Sequence, residues 1–376
     1  MKATDGLTSM ASCATFQPLA NAARWRARTT LALFAMMLAF FVAVTLSPLK
    51  SGFADAPNRG PGDVELYHAE VNRIRAGESY YDAAASELRA RGYPTRSIFN
   101  WRMPLPVRLV ALVPDARLAM ALLAALSLVL VWASFALLVN EAGLRTALLP
   151  VVLLSGAILP CLLDNLVVMS ELWSGVLIAL SAALFGIRRP AEGVVAGIAA
   201  LVFRELAAPY VLVCLALALH ERRYRELACW GVGLAAYAVY LAAHVYQVLP
   251  RAGGEGLAQV GSWIRFGGAG FLISALQMNA YLLLLPQWVT GIYLACVLLG
   301  CATWNTPAGC RVGLTIASYA IAFSIAGNDY NQYWGSLVAP LAALAACRAP
   351  AALGGLIRSA APRGAGWLPW LDLAGR

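Results

Sequence analysis

The chain alternates long apolar runs with short links and departs from that rhythm once. After a first run at 29–46 comes a polar stretch from about 50 to 102, and beyond it apolar segments follow one another with only brief interruptions. These segments lie near 116–140, 146–162, 166–186, 192–204, 206–219, 227–249, 277–303, 311–327 and 332–347. They lack the residue-by-residue alternation of barrel strands, and backbone inside a bilayer must satisfy its own hydrogen bonds, so each predicts a helix. The pattern predicts an all-α, polytopic membrane protein with about ten transmembrane helices. The runs 192–204 and 206–219 each cover roughly 20 Å of a hydrocarbon core near 30 Å. They are expected to meet in a cavity below the outer surface, at Phe203, Arg204 and Glu205. The proline-bounded stretch 103–114 is also short, and is expected to dip into the outer leaflet and return.

Composition agrees with lipid as the solvent: 61% of residues are hydrophobic and 12% charged, which excludes a water-exposed globular surface. The charges set the topology. Lys2, Arg24, Arg26 and Arg28 precede the first run, and Arg145, Arg188, Arg189, Arg222, Arg223, Arg225, Arg311, Arg348, Arg358 and Arg363 fall in later links that alternate with it. By the positive-inside rule both termini are cytoplasmic and the first polar loop, 50–115, is extracytoplasmic. Residues 1–28 read as a cytoplasmic tail, 29–348 as one membrane domain, and 349–376 as a surface-lying cytoplasmic tail. The net charge of +9 is accounted for by this anchoring and by anionic lipid, without nucleic acid. Residues 54–56 resemble a signal-peptidase site, but the preceding run is longer than a usual leader core and reads as an uncleaved anchor. The cysteines lie in or beside apolar runs, with no disulfide framework or zinc spacing.

Most chemistry-bearing residues therefore share one loop. Val64, Tyr67, Val71 and Ile74 recur at helical spacing, predicting an amphipathic interfacial helix at 64–75 with Asp63 at its start. An aspartate there would also serve as a helix cap, and Glu65 would favour the positive end of the helix dipole. The two carboxylates would converge only if the chain were extended there. His68 reads as a solvated interfacial residue. The glycine pattern at 231–236 imitates a dinucleotide fingerprint but sits inside an apolar run, and with Gly193 and Gly197 it reads as close helix packing. Neither a paired-histidine metalloprotease motif nor a serine-hydrolase elbow is present.

The loop, with Asp63 after the first span, Tyr67 and Ala69 in the interfacial helix, Gly77 and Tyr80 at a turn, then Pro104 and Pro106, resembles the GT-C class of integral-membrane glycosyltransferases. The likeness is to the bacterial family using polyprenyl-phosphate mannose or related pentose donors. It covers roughly residues 29–140; the aromatic expected before the proline pair is displaced to Trp101, with Arg102 and Met103 between. The resemblance implies Asp63 as the general base taking the acceptor's proton. Cations must then stabilise the departing phosphate, and Arg204, Arg102 and Arg265 are available.

Arg204 and Glu205 stand out without any resemblance, because charge at membrane depth by default marks function or a neutralising pair. Adjacent helical residues point apart, so each is expected to find a different partner. Glu171 faces either the cavity or the headgroups. The link 328–334 holds the weaker pocket candidates Asp329 and Asn331, while Trp334 reads as an interfacial-belt residue. The sugar or acceptor pocket is thus expected from Glu65, Tyr67, Glu171, Glu205, Asp329 and Asn331. A second interfacial element around Trp263 to Phe266 would border a lipid entrance. The expected function is transfer of a sugar from a polyprenyl-phosphate donor to an extracytoplasmic glycan or lipid acceptor at the inner membrane. It requires no organic cofactor, and no sequence feature supports a divalent metal. Two rivals remain at this level: a transporter or flippase of a lipid-linked saccharide, and a noncatalytic assembly subunit.

Overall fold

The computed structural model describes residues 24–46, 62–142, 144–253 and 264–361. Residues 54–56 and Trp263 lie outside them. Every named element among the described residues is helical, and the strand-like pairing there is an isolated bridge between Ile264 and Ala326. The protein is all-α and has the helices of a multi-pass membrane protein.

The first helix, α1 (Arg24–Leu46), takes Arg24, Arg26 and Arg28 into the helix instead of leaving them in a tail. The polar loop then folds into α2 (Asp63–Arg75), α3 (Tyr80–Ala90) and α4 (Pro104–Leu112). The spacing reading of α2 holds: Tyr67 and Val71 are buried, and Val64 and Ile74 pack on the same core. Gly77 turns the chain between α2 and α3 at φ 98°, a left-handed conformation open to glycine. Ser79 caps α3 by accepting from the Asp82 amide. Arg73 and Arg91 both clasp Glu87, tying α2 to α3. Arg75 donates to the Val110 and Val113 carbonyls at the end of α4. Residues 104–112 thus form one short helix with Pro104 in its first turn.

The long helices are α5 (Ala116–Ala142), α10 (Tyr224–Val248) and α14 (Pro307–Ile325); the shorter ones are α6 (Leu144–Ile158), α7 (Ser170–Gly186), α8 (Pro190–Phe203), α9 (Ala208–His220) and α13 (Gln287–Thr303). By length and composition five stretches suffice to cross a membrane, namely Arg24–Leu46, Ala116–Glu141, Tyr224–Val248, Pro307–Ile325 and Ala339–Ala360, against the ten or so expected. The run 277–303 accounts for part of the gap. It is not one helix but α12 (Ala280–Leu283) and α13, preceded by α11 (Gly268–Leu276). Asn279 caps α12 through its side chain, and Pro286 stands at the start of α13. The run 332–347 divides likewise into a 3₁₀ segment, Asp329–Leu337, and α15 (Ala339–Ala346). The chain then continues as α16 (Ala349–Ala360), where a surface tail was expected. Leu356 and Ala349 of α16 pack with Ala27 and Leu299, and Arg28 donates to the Ala360 carbonyl.

At the centre stands α7, buried from Ser170 to Leu184 on all sides; its three serines donate within the protein, and apart from them and Glu171 the helix is apolar. Gly175 lets the 3₁₀ segment approach, since a Cβ there would strike the Ser336 carbonyl. On another side Ser174 and Ser181 donate to carbonyls of α8, and Gly193 and Gly197 leave room for Phe185 and Trp230. Those two glycines behave as expected, as does Gly233, which leaves room for Ile198; Gly231 has open space where a Cβ would stand.

Candidate functional site

Elements distant in sequence bring their charges together at one end of α7. Glu171 occupies its first turn, Arg204 ends α8, Arg102 precedes α4, Asp63 begins α2, and Tyr333 sits in the 3₁₀ segment. Local structure explains each placement. Arg204 has φ −152° and ψ 119°, so α8 stops there and a short 3₁₀ turn, Glu205–Ala207, leads into α9. Tyr80 donates to the Arg102 carbonyl at 2.6 Å, and the neighbouring Trp101 indole donates to the Thr95 carbonyl. The residue that projects into the site is thereby held by its own backbone.

The result is an unbroken line of charge. Glu171 Oε1 lies 2.9 Å from Arg204 Nε and 3.6 Å from Arg102 Nη1. The closer contact is ionic, without the alignment of a hydrogen bond. Arg204 Nη1 also donates to Glu205 Oε1 at 2.5 Å. Adjacent residues pair here, contrary to expectation, because the helix breaks between them and the facing rule of a continuous helix no longer applies. On the other side Arg102 Nη2 lies 3.6 Å from Asp63 Oδ2. Arg204 and Glu171 are almost wholly buried, whereas the Asp63 side chain keeps 26% of its surface. The line runs from a solvent-touching carboxylate to a buried guanidinium.

Asp63 is not a cap. The capping position belongs to Gly62, no side chain caps α2, and the Asp63 carboxylate is turned to other partners. Tyr93 donates to Oδ1 at 2.8 Å and Tyr333 to Oδ2 at 2.9 Å. The Tyr333 hydroxyl in turn accepts from Arg102 Nη2 at 2.6 Å, while Arg102 Nε donates to the Tyr67 hydroxyl at 2.5 Å. Burial raises the pKa of Tyr67, Tyr93 and Tyr333 above the ordinary phenol range, and the Asp63 charge adds to the effect, so all three remain protonated donors.

The remaining candidates divide. Tyr67, Glu171 and Glu205 belong to the cluster. Asn331 is buried but spends its amide oxygen on the Asn328 N–H, closing a capping box, and its nitrogen stands 3.5 Å from the Tyr333 hydroxyl. The Asp329 side chain lies outside the described residues. Two candidates stand apart from the cluster. Glu65 is exposed, because two positions along a helix turn it away from Asp63, and Arg265 is exposed and takes no part in the cluster's ion pairs. His68 is not simply solvated, since its Nε2 is 2.8 Å from the Asn165 carbonyl. Trp334 is buried beside Phe323 instead of lying in a belt. Tyr93 and Tyr333 are the residues that sequence reasoning missed. The link 328–334 was the right signal for Tyr333, but in a 3₁₀ segment burial repeats every three residues, at Asn331, Trp334 and Leu337, a period the polar pattern does not display.

With three carboxylates, Asp63, Glu171 and Glu205, against two guanidinium groups, Arg102 and Arg204, the cluster can hold an added anion only by exchange at an arginine. Among the described residues no group of three or more His, Cys, Asp or Glu side chains gathers as a metal site. Comparison with protein-family models, curated proteins and solved structures gives no match.

Proposed function

We propose that the chain is a membrane glycosyltransferase that moves a sugar from a polyprenyl-phosphate carrier to a hydroxyl acceptor on the extracytoplasmic side. The observation that carries this reading is the Asp63 carboxylate, partly exposed and linked through Arg102 and Glu171 to the buried Arg204. Its chemistry fits a single displacement. The acceptor O–H gives its proton to Asp63 as its oxygen bonds to the anomeric carbon, and the bond from that carbon to the phosphate oxygen breaks with its electron pair on phosphate. The charge that develops there would be met by Arg102 and Arg204, which exchange Glu171 for the ligand. Tyr67 and Tyr333 hold Arg102 in place and leave its Nη1 directed toward Glu171.

The resemblance of the first loop to GT-C enzymes supports the same assignment. So does the arrangement of the ends. Arg223 pairs with Glu226 at the α9–α10 turn and Arg311 lies 3.6 Å from the same carboxylate, and α9 leads from the break at Arg204 to that turn, so these arginines lie at the opposite end of α9 from the candidate site. By the positive-inside rule the site faces outward and both termini lie in the cytoplasm of an inner-membrane protein. About ten crossings result if the shorter apolar helices are counted with the five long ones. An α8 of roughly 21 Å then ends below the outer surface of a core near 30 Å.

The test is transfer from a panel of polyprenyl-phosphate hexoses and pentoses by purified protein in lipid. One base and one displacement give a product of inverted anomeric configuration. Movement of labelled donor across vesicles with no glycosylated product would instead make the protein a transporter.

A further inference from the structure

One face of α10 is polar although most of that helix is bare of protein. Tyr237, Tyr240 and His244 follow one another at intervals of three and four residues, and so share that face. His244 is 2% exposed, its Nδ1 is 3.2 Å from the Tyr81 hydroxyl, and its ring lies beside Glu205 and the Trp101 backbone. Glu205 Oε2, Tyr240 Oη and His244 Nε2 are buried without an aligned hydrogen bond among the described residues; Glu205 is within electrostatic reach of His244 and Tyr237, and the Trp101 backbone lies against the His244 ring. The Tyr240 hydroxyl lies beside the Leu105 backbone without hydrogen-bond alignment. Buried polar atoms left unpaired are costly, and such atoms on the polar face of α10 and on Glu205, the neighbour of Arg204, point to a ligand that completes them.

We propose that Glu205, Tyr240 and His244 form the hydroxyl-binding subsite for the sugar of the donor, on the α10 side of Arg204. The proposal rests on the glycosyltransferase reading and deepens it. A carboxylate oxygen accepts, while a phenol and an imidazole each donate or accept, which is the complement of adjacent sugar hydroxyls. The Glu205 charge disfavours a second phosphate here, and an apolar chain would leave all three atoms unpaired. Position selects the donor over the acceptor. Glu205 follows Arg204 directly and shares a hydrogen bond with it, so hydroxyls bound here belong to the sugar attached to a phosphate on Arg204. The acceptor hydroxyl belongs on the Asp63 side, beyond Glu171 and Arg102.

The experiment measures binding of polyprenyl phosphate, its mannose, glucose, galactose and arabinose conjugates, and the neutral polyprenol to the full chain in nanodiscs. Tyr240→Phe removes only a hydroxyl and should not lower thermal stability. It is expected to weaken the preferred sugar conjugate by about five- to tenfold, the scale of one lost hydrogen bond, while leaving polyprenyl phosphate unchanged. His244→Ala should move the same probe in the same direction. Wild type that binds every conjugate no better than bare polyprenyl phosphate, or a Tyr240→Phe effect equal on both, overturns the subsite but leaves phosphate binding standing. If free methyl glycosides, not the conjugates, lose affinity in Tyr240→Phe, these groups bind the acceptor and the proposal is wrong. Wild type that binds polyprenyl phosphate no better than polyprenol removes the donor reading itself, and the subsite with it.

Discussion

Glu70 shares a face of α2 with Asp63 and Tyr67, yet it is 2% exposed and its Oε2 has no partner among the described residues. Burial pushes its carboxyl up to about 8 from an ordinary 4.5, so near neutral pH it is uncharged in the folded protein and ionised in the unfolded chain. The folded state holds the proton more tightly. Its contribution to stability is therefore complete below about 4.5 and is lost as pH rises through about 8. Glu70→Gln mimics the neutral form, so it should flatten the fall of the thermal midpoint between those pH values and leave the variant more stable than the parent at pH 9. Parallel curves for the two proteins would show that the carboxyl does not titrate in this window. Nothing in the sequence signalled this residue, because a glutamate one turn beyond Tyr67 reads as part of the polar face. Its burial becomes visible only when α3 and α4 close over α2.

At the scale of elements, the amphipathic helix of the first loop was legible because one face met lipid or core and the other met polar surroundings, which leaves a periodic trace. The break at Arg204 was legible for a different reason, since charge in an apolar run needs an exception to explain it. The division of 277–303 was not, because Asn279 and Pro286 interrupt a stretch whose apolar content hardly changes. Nor does the pattern reveal which segments approach most closely. The 3₁₀ segment that carries Tyr333 to Asp63 lies against α7 at Gly175, where its Ser336 carbonyl occupies the space of a Cβ. Gly175→Ala should force these elements apart and cost about 1–3 kcal/mol of stability, read from denaturation in detergent. Unchanged stability would mean that the approach is not required.

For the whole molecule, hydropathy measures apolar length and not exposure to lipid, so a wholly buried helix such as α7 reads the same as one that faces the bilayer. That is why the class of the protein was plain from its sequence while the number of crossings was not. The orientation has a direct check. Glu65 is exposed in the first turn of α2, so Glu65→Cys should react with a membrane-impermeant maleimide in cells with an intact inner membrane and an opened outer layer, above the background of the parent. Labelling only after inner-membrane disruption would invert the topology and put the site in the cytoplasm. The central claim is that Asp63 takes the acceptor's proton, and the most direct measurement is the single-turnover transfer rate of wild type and Asp63→Asn from a saturating polyprenyl-phosphate sugar. The amide retains an oxygen for Tyr93 but loses the basic carboxylate, so the rate should fall by about 10²–10⁴-fold with protein yield and donor affinity nearly unchanged. Transfer by Asp63→Asn at close to the wild-type rate would contradict the mechanism.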